Sequence, residues 1–185
     1  AVGGGMVCDI AAFAASIYMR GVKLTLVPTT VTAMVDAAFG GKTGINLLHS
    51  KNQIGTFYPA DSIFIVPKVL SKLPRKDYLD GLAEVIKTAM LGDAELLSTM
   101  EQHRTEILAR EPNMVKEVVR RCLAVKARFV VKDLREEHVV DQQNTGDSRM
   151  FLNLGHTFAH ALESASNFSW THGAAVAWGI GRALI

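Results

Sequence analysis

The hydrophobic rhythm of the chain changes once, at Leu73-Pro74, and this break limits the fold more than any other feature. Before it, glycine-rich loops, a helical stretch and short β-branched runs alternate, as in an α/β layer. After it, apolar residues keep helical spacing and no convincing strand pattern appears. Leu79, Leu82, Ala83, Ile86, Ala89 and Met90 mark one helix, and Met114, Val118, Cys122, Val125 and Phe129 mark a second. A third is predicted from Phe151 to Glu163 and a fourth from Gly173 onward. The expectation is an α/β domain over residues 1–74 followed by an all-α domain over 75–185.

In the first half, Asp9 to Met19 is apolar all round, which suits a buried helix stopped by Arg20-Gly21. Val22 to Val27 reads as a strand ended by Pro28, and Thr29-Thr30 could cap a short helix through Met34-Val35. Phe39 to Phe57, rich in Gly, Asn and Lys, is expected to be a loop. Ile63-Phe64-Ile65-Val66 predicts a short buried strand closed by Pro67, and the polar stretch from Glu136 to Ser148, with Gly146, predicts a surface loop. The chain opens like the end of a strand and closes within the apolar run Ala183-Leu184-Ile185, so it is expected to be part of a longer protein.

Composition narrows the function classes. With 49% hydrophobic and 21% charged residues, disorder is not expected. Twenty Lys+Arg against eighteen Asp+Glu give +2, too balanced to imply nucleic acid or an anionic membrane as partner. No apolar stretch is long enough to span a bilayer, and the N-terminus lacks the basic leader of a signal peptide. Cys8 and Cys122 lack metal-type spacing, so a reduced, cytoplasmic protein is the expectation.

Three features carry chemistry. His156 and His160 are four apart and share a face if helical, and His172 follows after a turn at Asn167-Phe168-Ser169. With Glu84, which stands on an otherwise apolar helix, they offer imidazole and carboxylate ligands to a zinc-like metal, or they are ordinary polar residues on solvated faces. Gly3-Gly4-Gly5 ahead of a helix gives freed amides at a positive helix end, suited to a pyrophosphate or simply to a tight turn. Gly40-Gly41-Lys42-Thr43 invites a P-loop reading, but Asp36 stands where that motif needs glycine and its carboxylate would repel phosphate. Lys42, Lys51-Asn52 and Lys87 remain, and Arg149 and Asn153 are expected on the same helical face as His156 and His160. Such groups suit a small substrate bearing a carboxylate or phosphate.

Read together, these segments resemble 3-dehydroquinate synthases, within the sugar phosphate cyclases. The residues that carry the resemblance are Gly3-Gly4-Gly5 with Asp9, Tyr18-Met19-Arg20-Gly21, Val27-Pro28-Thr29-Thr30, Ala33-Met34-Val35-Asp36 and Gly40-Gly41-Lys42-Thr43-Gly44-Ile45-Asn46. It continues in Lys51-Asn52-Gln53-Ile54-Gly55, Gly81-Leu82-Ala83-Glu84-Val85-Ile86-Lys87, Leu152-Asn153-Leu154-Gly155-His156-Thr157 and His172-Gly173. The resemblance implies the C-terminal part of a Rossmann-like NAD-binding layer followed by an all-α metal- and substrate-binding domain. It implies that Glu84, His156 and His172 hold Zn2+ or another divalent metal such as Co2+. Gly4, Gly5, Asp9, Thr29, Thr30, Asp36, Lys42 and Lys51 would lie along NAD. Arg20 (from the neighbouring subunit of a homodimer), Asn52 and His160 would contact the substrate near its phosphate. Lys42, Arg149 and Asn153 would take its carboxylate end, and Asp36, Lys51, Lys87, Lys126 and Glu136 would line the pocket. Lys42, Lys87, Glu136 and His160 are the implied catalytic positions.

The implied activity is that of an NAD- and zinc-dependent carbon–oxygen lyase of the shikimate pathway, which serves aromatic amino acid biosynthesis. It would turn 3-deoxy-D-arabino-heptulosonate 7-phosphate into 3-dehydroquinate and phosphate by transient oxidation, elimination, reduction and aldol closure. This chain alone is expected to be inactive, since the family's early strands and a late phosphate-touching lysine have no counterpart in it. Cys8 and Ala12 stand where the family has glycines, as does Ala159, and Ala174 replaces a glutamate. Those departures keep two alternatives in view, a related sugar phosphate cyclase and a degenerate paralogue without turnover.

Overall fold

A computed structural model describes residues 1–47, 50–137 and 148–185. The surface loop expected between Glu136 and Ser148, with Gly146, falls largely on residues 138–147 and lies outside the described residues, as does the side chain of Lys51. The chain forms two compact units, Ala1–Leu73 and Pro74–Ile185. Among the described residues no helix is long and apolar enough to cross a membrane.

The first unit contains β1 (Val2–Gly3), α1 (Gly5–Ile17), β2 (Thr25–Pro28), β3 (Ile45–Leu47), β4 (Ser50–Ile54) and β5 (Ser62–Ile63). Strands β1, β2 and β5 make a three-stranded sheet in the order β1-β2-β5, with both pairings parallel. Parallel neighbours need a crossover, and α1 supplies it between β1 and β2. Cys8, Ala12 and Ala15 form one stripe of α1, and their small side chains bury it with Leu24, Leu26, Ala33 and Ala38. The expectation of a helix buried all round is corrected: Met6 is 78% exposed, and Ile10 and Ile17 are exposed as well. One stripe is all that the sheet and its neighbours cover.

Three other expectations change. Phe39 to Phe57 is not simply a loop, because β3 and β4 pair as an antiparallel hairpin with Ile45 opposite Ile54. Polar, solvent-facing strand residues such as Asn46 and Asn52 hide the alternation that would mark it. Thr30 does cap a short helix through Met34-Val35, its Oγ1 accepting from the Ala33 amide at 3.2 Å, but the Ala33–Ala37 stretch is π-helical. The last strand pairs only at its start, where Leu26 faces Ile63, and Phe64 and Val66 are exposed.

The second unit is helical: α2 (Arg75–Gly92), α3 (Ala94–Gln102), α4 (Arg104–Leu108), α5 (Pro112–Lys132), a 3-10 turn at Arg149–Asn153, α6 (His156–Ala165) and α7 (His172–Ala183). Helix α2 packs on both α5 and α7, and α7 packs on α6. Val115, Val118, Cys122, Val125 and Phe129 form the buried stripe of α5, at the spacing the sequence displays. Ala159, Ala175, Val176 and Ile180 close the α6–α7 contact. The expected single helix from Phe151 to Glu163 is corrected: Gly155 adopts φ 77°, a left-handed conformation, and α6 starts only at His156.

Candidate metal centre

Glu84 lies on the buried side of α2 and is fully shielded from solvent. Lys87, one turn on and only 2% exposed, places Nζ 2.5 Å from Glu84 Oε2. The other carboxylate oxygen faces two imidazoles, with Oε1 3.2 Å from His172 Nε2 and 3.7 Å from His156 Nε2. Each histidine is the first residue of its helix, His156 in α6 and His172 in α7. One ligand atom from each of Glu84, His156 and His172 lies within 4.8 Å of the other two.

Backbone contact brings the three together. A Cβ on Gly173 would sit 1.9 Å from the Asp80 carbonyl oxygen, so only glycine lets the start of α7 approach α2 this closely. The Ala174 amide donates to Asp80 Oδ1 at 3.2 Å, which ties the same end of α7 one turn below Glu84. At the α6–α7 contact, a Cβ on Gly179 would lie 2.2 Å from the Gly155 carbonyl oxygen.

The second ring nitrogen of each histidine faces an acceptor. His156 Nδ1 is 3.3 Å from the Leu154 carbonyl oxygen, and His172 Nδ1 is 3.3 Å from Glu163 Oε1. A proton on each Nδ1 would leave both Nε2 lone pairs facing the Glu84 carboxylate. Lone pairs so gathered repel one another unless a cation lies among them. Burial, helped by the Lys87 charge, holds His156 below its ordinary pKa, which favours the neutral ligand form. For His172 burial acts in the same sense but is outweighed by the hydrogen bond and charge of Glu84 and then by Glu163, and its pKa is raised. Two imidazoles and one carboxylate fit a divalent ion with an open coordination position, as catalytic zinc sites require.

His160 is exposed and outside this trio, with its ring 5.4 Å from that of His156 and 6.5 Å from that of His172. Asn153 Nδ2 donates to Glu136 Oε1 at 2.7 Å, which joins two of the expected substrate residues. Arg149 is buried and donates from Nη1 to the Leu134 carbonyl at 2.5 Å. Arg149 and Asn153 do not share a helical face with His156 and His160, because the turn at Gly155 separates them. Lys126 is buried on α5. In the first unit, Gly4 caps α1 beside Thr30, whose Cγ2 would lie 3.1 Å from a Cβ at Gly4, and the Thr29 amide donates to the Gly3 carbonyl at 2.8 Å. Asp9 and Lys42 line one small cleft with Gly41 and Tyr58, Asp36 sits in the π-helical turn, and Gly5 lies beside it against Ala37. Arg20 and Asn52 are exposed at positive φ. Cys8 and Ala12 belong to the α1 core, and Ala159 to the α6–α7 core.

Sequence reasoning passed over Asp80, Glu163 and Gly179. Glu163 carried a usable signal, since it follows His156 by seven residues and so returns to the same side of α6.

Profiles of the 3-dehydroquinate synthase N-terminal and C-terminal regions match residues 1–80 and 81–184 respectively. A 3-dehydroquinate synthase of Solibacter usitatus is 42% identical over 185 residues, which is 100% of this chain and 49% of the relative. One from Acidithiobacillus ferrooxidans is 44% identical over 181 residues, 97% of this chain and 47% of the relative. The chain therefore spans about half the length of the curated relatives it matches. Among solved structures, 2-epi-5-epi-valiolone synthase from Streptomyces hygroscopicus subsp. jinggangensis, with NAD+ and Zn2+ bound, has a TM-score of 0.87 at 34% identity, over 97% of this chain and 48% of its own. A 2-deoxy-scyllo-inosose synthase complexed with carbaglucose-6-phosphate, NAD+ and Co2+ has a TM-score of 0.84 at 28% identity, over 97% and 48%. The fold is that of a Rossmann-like α/β part followed by a helical part, as in these sugar phosphate cyclases. With its two regions matched in order across nearly every residue, the chain belongs to the 3-dehydroquinate synthase family.

Proposed function

We propose that this chain is the NAD-, metal- and substrate-binding part of a 3-dehydroquinate synthase. The whole protein would convert 3-deoxy-D-arabino-heptulosonate 7-phosphate to 3-dehydroquinate and phosphate, as a cytoplasmic homodimer. The observation that carries the reading is the Glu84, His156 and His172 cluster, three ligand atoms within 4.8 Å of one another. A divalent ion held there would supply Lewis acidity toward substrate hydroxyls. NAD would supply a hydride acceptor that is regenerated within each turnover, held along Gly4, Gly5, Asp9, Thr29 and Thr30, with Asp36, Lys42 and Lys51 beside it.

The chain's own residues mainly bind and orient. Lys87 keeps one oxygen of Glu84 engaged so that the other faces the imidazoles. Arg149, Asn153 and Lys42 are assigned to the substrate carboxylate, and His160, Asn52 and Arg20 to the region of its phosphate. Lys126, Glu136 and Lys51 complete the polar lining. Holding the substrate in one reactive pose reduces the demand for dedicated acids and bases.

The test is turnover by the full-length protein. With NAD and Zn2+ it should release phosphate and dehydroquinate, lose activity to a chelator and regain it with added metal. His156→Ala should lose both bound metal and turnover. Product only from a sugar phosphate lacking the carboxylate would assign it to a sister cyclase. Bound metal without turnover on either substrate would identify a degenerate paralogue.

A further inference from the structure

We propose that Glu163 is a positioning residue of this centre, a buried carboxylate that fixes the tautomer and ring rotation of His172. The inference rests on the metal reading of Glu84, His156 and His172. Glu163 lies on α6 and is 2% exposed, with Oε1 3.3 Å from His172 Nδ1. The opposite ring nitrogen, Nε2, is the one 3.2 Å from Glu84 Oε1. A carboxylate at Nδ1 selects the tautomer with its proton there and leaves the Nε2 lone pair for a cation.

The two histidines are oriented by different means. His156 is 12% exposed and sets its Nδ1 against a backbone carbonyl two residues back, an acceptor that its own chain supplies. His172 is 32% exposed at the first position of α7, where packing restrains the ring less, and its Nδ1 acceptor comes from another helix. Glu163 lies seven residues beyond His156, so α6 contributes a ligand near its start and the orienter of the second histidine two turns later. Burial of a carboxylate is unfavourable unless it is hydrogen-bonded, and the His172 bond gives this one a partner whose direction matters to the site.

The experiment uses the full-length protein, with Co2+ and Zn2+ as probes. Affinity is read by competition with a chromophoric chelator, and ligand geometry by the visible Co2+ bands. Glu163→Ala should weaken binding about 10–100-fold and alter the bands, the range expected for loss of an outer-shell partner. Glu163→Gln, which keeps an acceptor of the same size, should recover most of both. Glu163→Ala with parental affinity and spectrum would overturn the proposal while leaving the metal reading intact. A parental protein that binds no metal, or one that keeps its metal after His156→Ala, overturns the metal reading and this inference with it. Nitrogen-15 spectra of the zinc-loaded parent give a check that needs no variant: His172 should carry its proton on Nδ1, and a proton on Nε2 would overturn the assignment.

Discussion

Glu84 and Lys87 sit one turn apart on α2 with almost no solvent contact, so each charge depends on what stands within a few ångströms of it. Lys87→Met takes from Glu84 the ammonium at 2.5 Å and should cost about 3 kcal/mol, the low end of the range for breaking a buried pair. A divalent ion beside Oε1 would offset much of that loss. The variant should therefore gain more stability from added Zn2+ than the parent does, as read by urea unfolding with and without metal. An equal gain in both proteins would argue that the ion does not reach Glu84. At this scale the residues alone draw attention to Glu84, His156, His160 and His172 together, and only the family resemblance sets His160 apart from the other three. Asp80 gave no signal, and the spacing of Glu163 from His156 shows a shared side of α6 but not its partner: both act through the geometry of another residue, and no spacing rule links positions 163 and 172 or 80 and 174.

Asp93 shows how a single side chain can serve three elements. It follows α2, caps α3 by accepting from the Leu96 amide at 2.9 Å, and binds Arg121 of α5 through both oxygens at 2.5 and 2.8 Å. The Arg121 hydrogen bonds, opposed by partial burial and aided by the Leu96 amide, hold its carboxyl below the ordinary value. A depressed folded-state pKa gives stability that is complete above the unfolded pKa, near ~3.9, and lost as pH falls through the folded value. Asp93→Asn keeps a capping acceptor but loses the charge, and at pH 7 it should cost about 1–2 kcal/mol. The gap from the parent should persist to about pH 5 and close below about pH 4. A gap that stays constant down to pH 3 in urea titrations would contradict the ion-pair account. The elements themselves were legible where a stripe of apolar residues repeats, as in α2 and α5, and where glycine or proline ends a run. Short α3 and α4 went unseen because so few turns give little periodicity, and the β3–β4 hairpin because its strands face solvent with Asn and other polar residues. The break at Gly155 was hidden by helical spacing that continues across it, and only its positive φ reveals two elements.

The chain divides into two compact units, Ala1–Leu73 and Pro74–Ile185, and all three members of the metal cluster belong to the second. Glu84 comes from α2, His156 from α6 and His172 from α7, so an ion among them ties together three helices that contribute separate stretches of sequence. An ion that binds only the folded state adds RT ln(1 + [L]/Kd) to stability, about 2.7 kcal/mol at a hundred times Kd. That gain should be felt first by the openings that separate its ligands, because local openings draw on local contacts. Hydrogen exchange on the full-length protein should therefore show Zn2+ slowing exchange most in peptides from α2 and from the start of α6 and α7. NAD, on the proposed reading, should instead protect peptides around Gly4 and Thr29-Thr30, where its expected contacts lie. The two patterns separate the ligand assignments without requiring turnover. Zinc protection centred on α1 and the parallel sheet, with none at His156 and His172, would mean that the cation binds elsewhere and that the clustered imidazoles serve only the packing of the helices.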